Sequence, residues 1–280
     1  EMLNRDWSSD VCSSDLTYAF SDVHGHRVPL ERLLERVSPA DDDTLFMLGD
    51  MVDRGPDPVG VLRICHDLKN VRVIMGNHED LMVAYFQAPD DPMVKMNWEI
   101  NGSYTTLSGL EALDEQTRIE LVDWVINLPF GAVTKVNDRF YIMVHAGIRP
   151  TGSLPQDQLT SQGVKDLLLS QDPEDLLWIR EEFWSVPTGL IDENGVGPIV
   201  IAGHTPTAYL EGMANYLERS PQGEDGLCRQ VKVGACEATG GVADRWDIDS
   251  GAAGGAGFGQ VSMVRLDDGE EFYEPIAEGE

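Results

Sequence analysis

Three short polar motifs, each directly after an apolar run, constrain this chain more than any other feature. Asp22-Val23-His24-Gly25 follows residues 17–20, Gly49-Asp50-Met51-Val52-Asp53-Arg54-Gly55 follows 44–48, and Gly76-Asn77-His78-Glu79 follows 71–75. Asp22 and Asp50 lie 28 positions apart and Asp50 and Asn77 lie 27 apart, about one strand–helix–strand unit each. The intervening segments fit that reading. Leu30, Leu33, Leu34 and Val37 recur at helical spacing behind Pro29, and Val59, Leu62, Ile64, Cys65 and Leu68 suit a second helix. Right-handed crossovers set such strands parallel with their carboxyl ends together, so three loops can converge on one crevice.

Two later histidines, His145 and His204, also end apolar runs. Asp, His, Asp, Asn, His and His are the ligand inventory of a two-metal hydrolase. Oxygen ligands mixed with imidazole suit manganese, iron or zinc better than calcium, and one shared carboxylate can hold two ions roughly 3.5–4 Å apart. Asp50, in the central loop, is the natural bridge. Two such cations lower the pKa of a bridging water, which supplies a hydroxide nucleophile at neutral pH. A lone histidine is more often a core or surface residue, but four of the six here, His24, His78, His145 and His204, sit at strand ends or beside glycine. His66, on a helix, and His26, just past the first loop, keep the ordinary reading.

The rest of the chain is less sharply patterned. Residues 81–86 and 115–128 read as helices, with Trp98, Asn101, Gly102 and Tyr104 in a polar-aromatic stretch of no definite period between them. Residues 130–136 and 139–144 alternate about Asn137-Asp138, a hairpin signal. Residues 156–171 and 173–184 read as helical, 198–202 as a strand, and 215–235 as an irregular strand pair. Asp247-Ile248-Asp249 precedes a glycine-rich loop at 251–259, and 260–266 and 271–276 read as late antiparallel strands. No internal repeat or interdomain linker is visible, which predicts one domain over 17–280. Residues 1–16 repeat Ser-Ser-Asp without periodicity and resemble a translated sequencing adaptor, so they are set aside as a non-native or disordered segment.

Composition bounds the partners. Twenty Lys and Arg against 49 Asp and Glu give a net charge of −29, a field that repels nucleic acid and anionic membranes. No apolar stretch approaches the roughly 20 residues of a membrane helix. Cys12, Cys65, Cys228 and Cys236 show no framework spacing, as in a reduced, cytoplasmic protein.

The ordered set of motifs, with His145-Ala146-Gly147 and Gly203-His204-Thr205, resembles the phosphoprotein phosphatase family of calcineurin-like metallophosphoesterases, in its bacterial serine/threonine phosphatase branch. The resemblance runs from Thr17 to the late strands. It implies an α/β (α+β) fold with two mixed β-sheets packed as a sandwich flanked by helices and the metals at one edge. By the same resemblance, Asp22, His24 and Asp50 hold one metal, and Asp50, Asn77, His145 and His204 hold the other. His78 is implied as general acid oriented by Asp53, with Arg54, Arg180 and Asn77 binding the phosphoryl group. The implied cofactors are two divalent or trivalent ions, manganese before iron or zinc. In-line attack by the metal-bridging hydroxide follows, without a phosphoenzyme. Two departures stand out: Ser21 where the family usually has glycine, and the abundance of glycine at 251–259.

The expected substrate is a phosphoprotein or small phosphoester, with protein serine/threonine phosphatase as the leading activity. Symmetrical bis(5′-nucleosyl)-tetraphosphatases resemble the chain over the same motifs. Their second loop usually lacks the Asp that pairs with the catalytic histidine, and their third usually ends in Asp, so Asp53 and Glu79 favour the phosphomonoesterase side. An inactive module that binds phosphopeptides is the rival from another class.

Overall fold

The computed structural model describes residues 15–150, 152 and 154–280. Most of the segment set aside, including Cys12, therefore lies outside the described residues. Leu16, which was placed in that segment, donates its N–H to Asp43 Oδ1 at 2.9 Å and so takes part in the fold.

The strand–helix–strand reading of the first third holds. Strands β1 (Thr17–Phe20), β2 (Thr44–Met47) and β3 (Val71–Val73) run parallel, joined by helices α1 (Arg27–Val37) and α2 (Pro58–Asp67). Asp57 caps α2 by accepting from the Gly60 N–H, with Pro58 in the first turn where no N–H is needed. Helix α3 (Asn77–Gln87) starts at the third motif itself. The stretch of no definite period resolves into α4 (Pro92–Ile100) and α5 (Tyr104–Glu111), followed by α6 (Glu115–Ile126).

The second half builds another sheet. Strands β4 (Gly131–Val136) and β5 (Arg139–Val144) form the expected hairpin, with Asn137 and Asp138 at φ of 47° and 65°, as a twisted two-residue turn requires. The predicted helical excursion appears as α7 (Ser161–Leu169), α8 (Pro173–Trp178) and α9 (Glu181–Trp184), with a break at Ile179 and Arg180. Strand β6 (Ile199–Ala202) follows. The expected strand pair over 215–235 is reduced to β7 (Val231–Val233) and two isolated bridges, because Pro221, Gly223 and Gly226 interrupt the ladder. Strand β8 (Arg245–Asp247) was not anticipated, whereas β9 (Gln260–Arg265) and β10 (Glu271–Pro275) pair antiparallel as expected.

Strand order is β10-β9-β1-β2-β3 in one sheet and β4-β5-β6-β8-β7 in the other, both mixed. Ala19, Phe46, Met143, Ile201, Trp246 and Val264 interleave between the two sheets. The alternate residues Phe20, Leu45, Met47, Ile142 and Val200 face the helices in a second core. Burial on both faces explains why these strands read as continuous apolar runs rather than alternating ones. Each sheet carries one parallel triplet, β1–β2–β3 and β5–β6–β8. All the site residues described next leave from the carboxyl ends of those triplets or from the helices packed beside them. No helix among the described residues is long and apolar enough to cross a membrane.

Candidate metal-centred active site

The first triplet ends in Asp22, Asp50 and Asn77, and the second in His145, His204 and Asp249. Hydrogen bonds stitch the two sheets together here. His145 Nδ1 lies 2.8 Å from the Leu48 carbonyl, and the His204 N–H donates to Asp22 Oδ2 at 3.0 Å. The Ser21 hydroxyl donates to the same carboxylate oxygen, so the unusual serine helps to hold Asp22. Gly76 is required for this packing, since a Cβ there would lie 2.4 Å from Asp50 N and Oδ1.

The backbone is strained where the side chains converge. Ten non-glycine residues among those described have positive φ, and Asp22, His24, Asp50, Asp53, Arg54 and His204 are six of them. Such conformations cost of order 1–3 kcal/mol each and persist only where surrounding contacts over-determine them. Glu79 supplies much of that determination. Its carboxylate accepts from the N–H groups of Asp50 (2.7 Å), Met51 (2.8 Å), Val52 (3.2 Å) and Gly76 (3.0 Å). Burial pushes this carboxyl up to about 7, while the four donors pull the other way.

Asp50 is the common member of two groups of close, buried ligand atoms, His24–Asp50–His78 and Asp50–His145–His204. His24 Nδ1 sits 3.0 Å from the Val52 carbonyl and His145 Nδ1 contacts that of Leu48, so each proton lies on Nδ1 and each Nε2 presents a lone pair. Those lone pairs stand 3.4 Å from Asp50 Oδ2 and Oδ1 respectively. Acceptors facing acceptors across such gaps leave an electron-rich centre that a cation would satisfy. Asn77 Oδ1 lies 2.8 Å from His145 Nε2 and 2.9 Å from His204 Nδ1, and Asp22 Oδ1 is buried without a hydrogen-bond partner. The donor set therefore fits metal ions.

Electrostatics agree. Burial, then the nearby Asp22 and Glu79, hold the Asp50 carboxyl well above the usual carboxylate range. Asp249 is raised by burial and Asp22, and Asp247 by burial and Asp249. Burial also lowers His145 to about 4 and drives His24 and His204 well below the usual imidazole range. Bound cations would return such carboxylates to their ionised form and take the neutral imidazoles as ligands.

His78 stands beside this cluster, with Nε2 3.9 Å from Asp50 Oδ2. Its Nδ1 is 2.7 Å from Asp53 Oδ2, which also accepts from Trp98 Nε1 at 2.8 Å, while Asp53 Oδ1 accepts from the Thr106 hydroxyl at 2.6 Å. The polar-aromatic stretch thus holds Asp53, a role sequence reasoning did not assign to Trp98 or Thr106. Arg54 is exposed, with Nη2 3.1 Å from His78 Nε2. Arg180 lies at the α8–α9 break, its Nη1 3.4 Å from Thr205 Oγ1, and shares with Arg54 a pocket of about 350 Å3. Asn77, His78, His204 and Asp249 also line it. A larger groove of about 600 Å3 between α1 and α2 has none of this chemistry, and Arg27 there is paired with Asp57 at 2.8 Å.

All the site residues expected from the sequence are thus brought to one edge of the sandwich. Asp249 and Glu79 were missed as site residues. The model of the calcineurin-like phosphoesterase family matches residues 17–233. The chain belongs to that family. A symmetrical bis(5′-nucleosyl)-tetraphosphatase of Pectobacterium atrosepticum is 33% identical over 158 residues, 55% of this chain and 51% of that protein. The protein of the same name from Pectobacterium carotovorum subsp. carotovorum is 34% identical over 156 residues, with the same shares. The chain spans about half the length of the curated relatives it matches.

Among solved structures, a candidate diadenosine tetraphosphatase superposes with a TM-score of 0.57 at 17% identity, covering 98% of this chain and 100% of that one. A protein serine/threonine phosphatase from Saccharomyces cerevisiae superposes at 0.52 and 13% identity, covering 94% and 81%. At these identities the structures show the calcineurin-like fold, two mixed sheets flanked by helices, and no more.

Proposed function

We propose that this metallophosphoesterase hydrolyses nucleoside polyphosphates of the bis(5′-nucleosyl) tetraphosphate kind, opening a P–O–P bond symmetrically to release two nucleoside diphosphates. The observation that carries this reading is the identity of 33% with a symmetrical bis(5′-nucleosyl)-tetraphosphatase. It reverses the order expected from the motifs alone, in which phosphoprotein hydrolysis came first.

Asp22, His24 and Asp50 would hold one ion, and Asp50, Asn77, His145 and His204 the second. Two bound ions, manganese being the first choice for this oxygen and imidazole set, supply Lewis-acid activation of water and charge neutralisation. Arg54 and Arg180 bind non-bridging phosphoryl oxygens, assisted by Asn77, and their planar forks suit that task. Apart from the Tyr209 phenol, the pocket lining offers no hydroxyl or thiol, which supports direct attack by water. Asp53 takes the Nδ1–H of His78 and fixes the ring, so that Nε2 faces the leaving oxygen. For Nε2 to carry a proton, Arg54 must leave it and turn onto the substrate, which its exposure permits.

Protein serine/threonine phosphatase is the second reading, favoured by the Asp53–His78 pair. A serine alkoxide needs a proton donor far more than a leaving phosphate, whose conjugate acid titrates near pH ~6. Retention of every ligand and of His78 disfavours an inactive binding module. The test is a comparison of kcat/KM for manganese-loaded protein on bis(5′-adenosyl) tetraphosphate and on a phosphoserine peptide, with nucleotide products resolved chromatographically. Preference for the dinucleotide with ADP as sole product supports the reading. A clear preference for the peptide exchanges the two.

A further inference from the structure

The glycine-rich loop at 251–259 has no part in the chemistry above, yet it forms one wall of the pocket. Gly254 explains its composition. A Cβ there would lie 2.3 Å from Phe258 Cδ1, and one on Gly251 would lie 2.9 Å from Phe258 Cε1. The Phe258 ring is laid across the loop where side chains would otherwise stand. Two further rings line the same pocket. Trp178 is 37% exposed and packs edge-on against His204 with centroids 6.0 Å apart, and Tyr209 is 56% exposed on the turn that follows Pro206.

Aromatic faces do nothing for a phosphate. A ring face cannot donate to its oxygens, Phe258 has no donor at all, and exposing rings costs hydrophobic free energy, although the Tyr209 O–H and Trp178 N–H are donors at their edges. Their place beside Arg54 and Arg180 therefore concerns whatever the phosphate is attached to. We infer that Tyr209, Trp178 and Phe258 form a stacking subsite for the nucleobase of one half of the substrate. This rests on the nucleoside polyphosphate reading and deepens it. Every base has a π-face, so stacking on such rings is strong and tolerant of base identity. The pocket of about 350 Å3 is at the low end of small-molecule sites, roughly 300–1,000 Å3, and accommodates one nucleotide half while the other lies beyond the rim.

The test is calorimetric titration of the full chain, loaded with manganese, with ADP and with inorganic pyrophosphate. Wild type should bind ADP the more tightly. Tyr209→Ala, at an exposed position, should weaken ADP by about 5- to 150-fold, the worth of one stacked base, and collapse its advantage over pyrophosphate. Gly254→Ala should act in the same direction by displacing Phe258, while Tyr209→Phe should keep the advantage. Equal binding of ADP and pyrophosphate to wild type overturns the subsite. So does an ADP advantage that survives in Tyr209→Ala. If the protein cleaves the dinucleotide while Tyr209→Ala keeps its ADP preference, the subsite falls and the function stands. If phosphopeptide is preferred while the ADP advantage depends on Tyr209, the function falls and the subsite stands.

Discussion

The two parallel triplets that meet at the site are built to different standards. The loops after β1, β2 and β3 are locked, with Asp50 held by Glu79, Asp53 by Trp98 and Thr106, and Asp22 by Ser21 and His204. The loops after β5, β6 and β8 give two imidazoles and Asp249 but then open into exposed rings and a glycine-rich turn. The contrast teaches that the rigid anchoring of the site is concentrated in the first half of the chain, while the exposed rings of the pocket wall come from the second. Fixed carboxylates serve any phosphoryl transfer, whereas the looser wall can change with what the phosphate bears.

Asp50 is where the halves join, so its loss should have the largest effect. Asp50→Asn should lower turnover by roughly a thousand-fold or more, since two cations contribute several kcal/mol to the transition state. Elemental analysis of the purified variant should find metal content reduced. Full metal occupancy with near-normal turnover would mean that the halves do not share this carboxylate.

His78→Asn ranks next and separates the two substrate readings. On a phosphomonoester with an alkoxide leaving group it should cost about 10²- to 10⁴-fold, and on bis(5′-adenosyl) tetraphosphate much less, with metal content largely spared. Equal losses on both would remove His78 from proton donation. Glu79→Gln should weaken metal binding by about 10- to 100-fold, as expected for a group that orients a ligand, measured by competition with a chromogenic chelator. An unchanged affinity would show that the first half is less over-determined than its hydrogen bonds suggest.

The smallest effect concerns pH. His145, held by burial at about 4 in the metal-free fold against 6.5 when free, binds its proton more readily in the unfolded chain between those values. Its contribution therefore destabilises the fold increasingly as pH falls from about 6.5 toward 4. Chelated wild type should lose Tm more steeply across that window than chelated His145→Asn, by differential scanning fluorimetry. Parallel curves would rule out this linkage.

The locked half was also the legible one. Its ligands stand a fixed step beyond apolar runs, and the helices between them carry clear periodicity. The open half hides its third member. Strand β8 has only three residues, and Arg245, which reads as a surface charge, is buried with Nη1 donating to the carbonyls of Phe183, Trp184 and Val186. Asp249 therefore reads only as a residue preceding a loop and not as the end of a parallel strand. Trp98 and Thr106 were hidden for another reason. They reach Asp53 from 45 and 53 positions away, and no local pattern marks such a partnership. Glu79 was visible as a motif letter, but three of its four donors reach it only once the second loop has folded over it.

The bond between His204 and Asp22 joins positions 182 residues apart. Asp22 and His204 would hold different ions, but those ions would share Asp50, so filling both would tie the two ends of that span together. Each doubling of a closed loop adds only about 0.6 kcal/mol to its cost. Occupancy of both sites would then reward the finished sandwich. A ribosome that has not yet delivered β6 exposes a centre without His204, so the complete ligand set and the second sheet arrive in the same event.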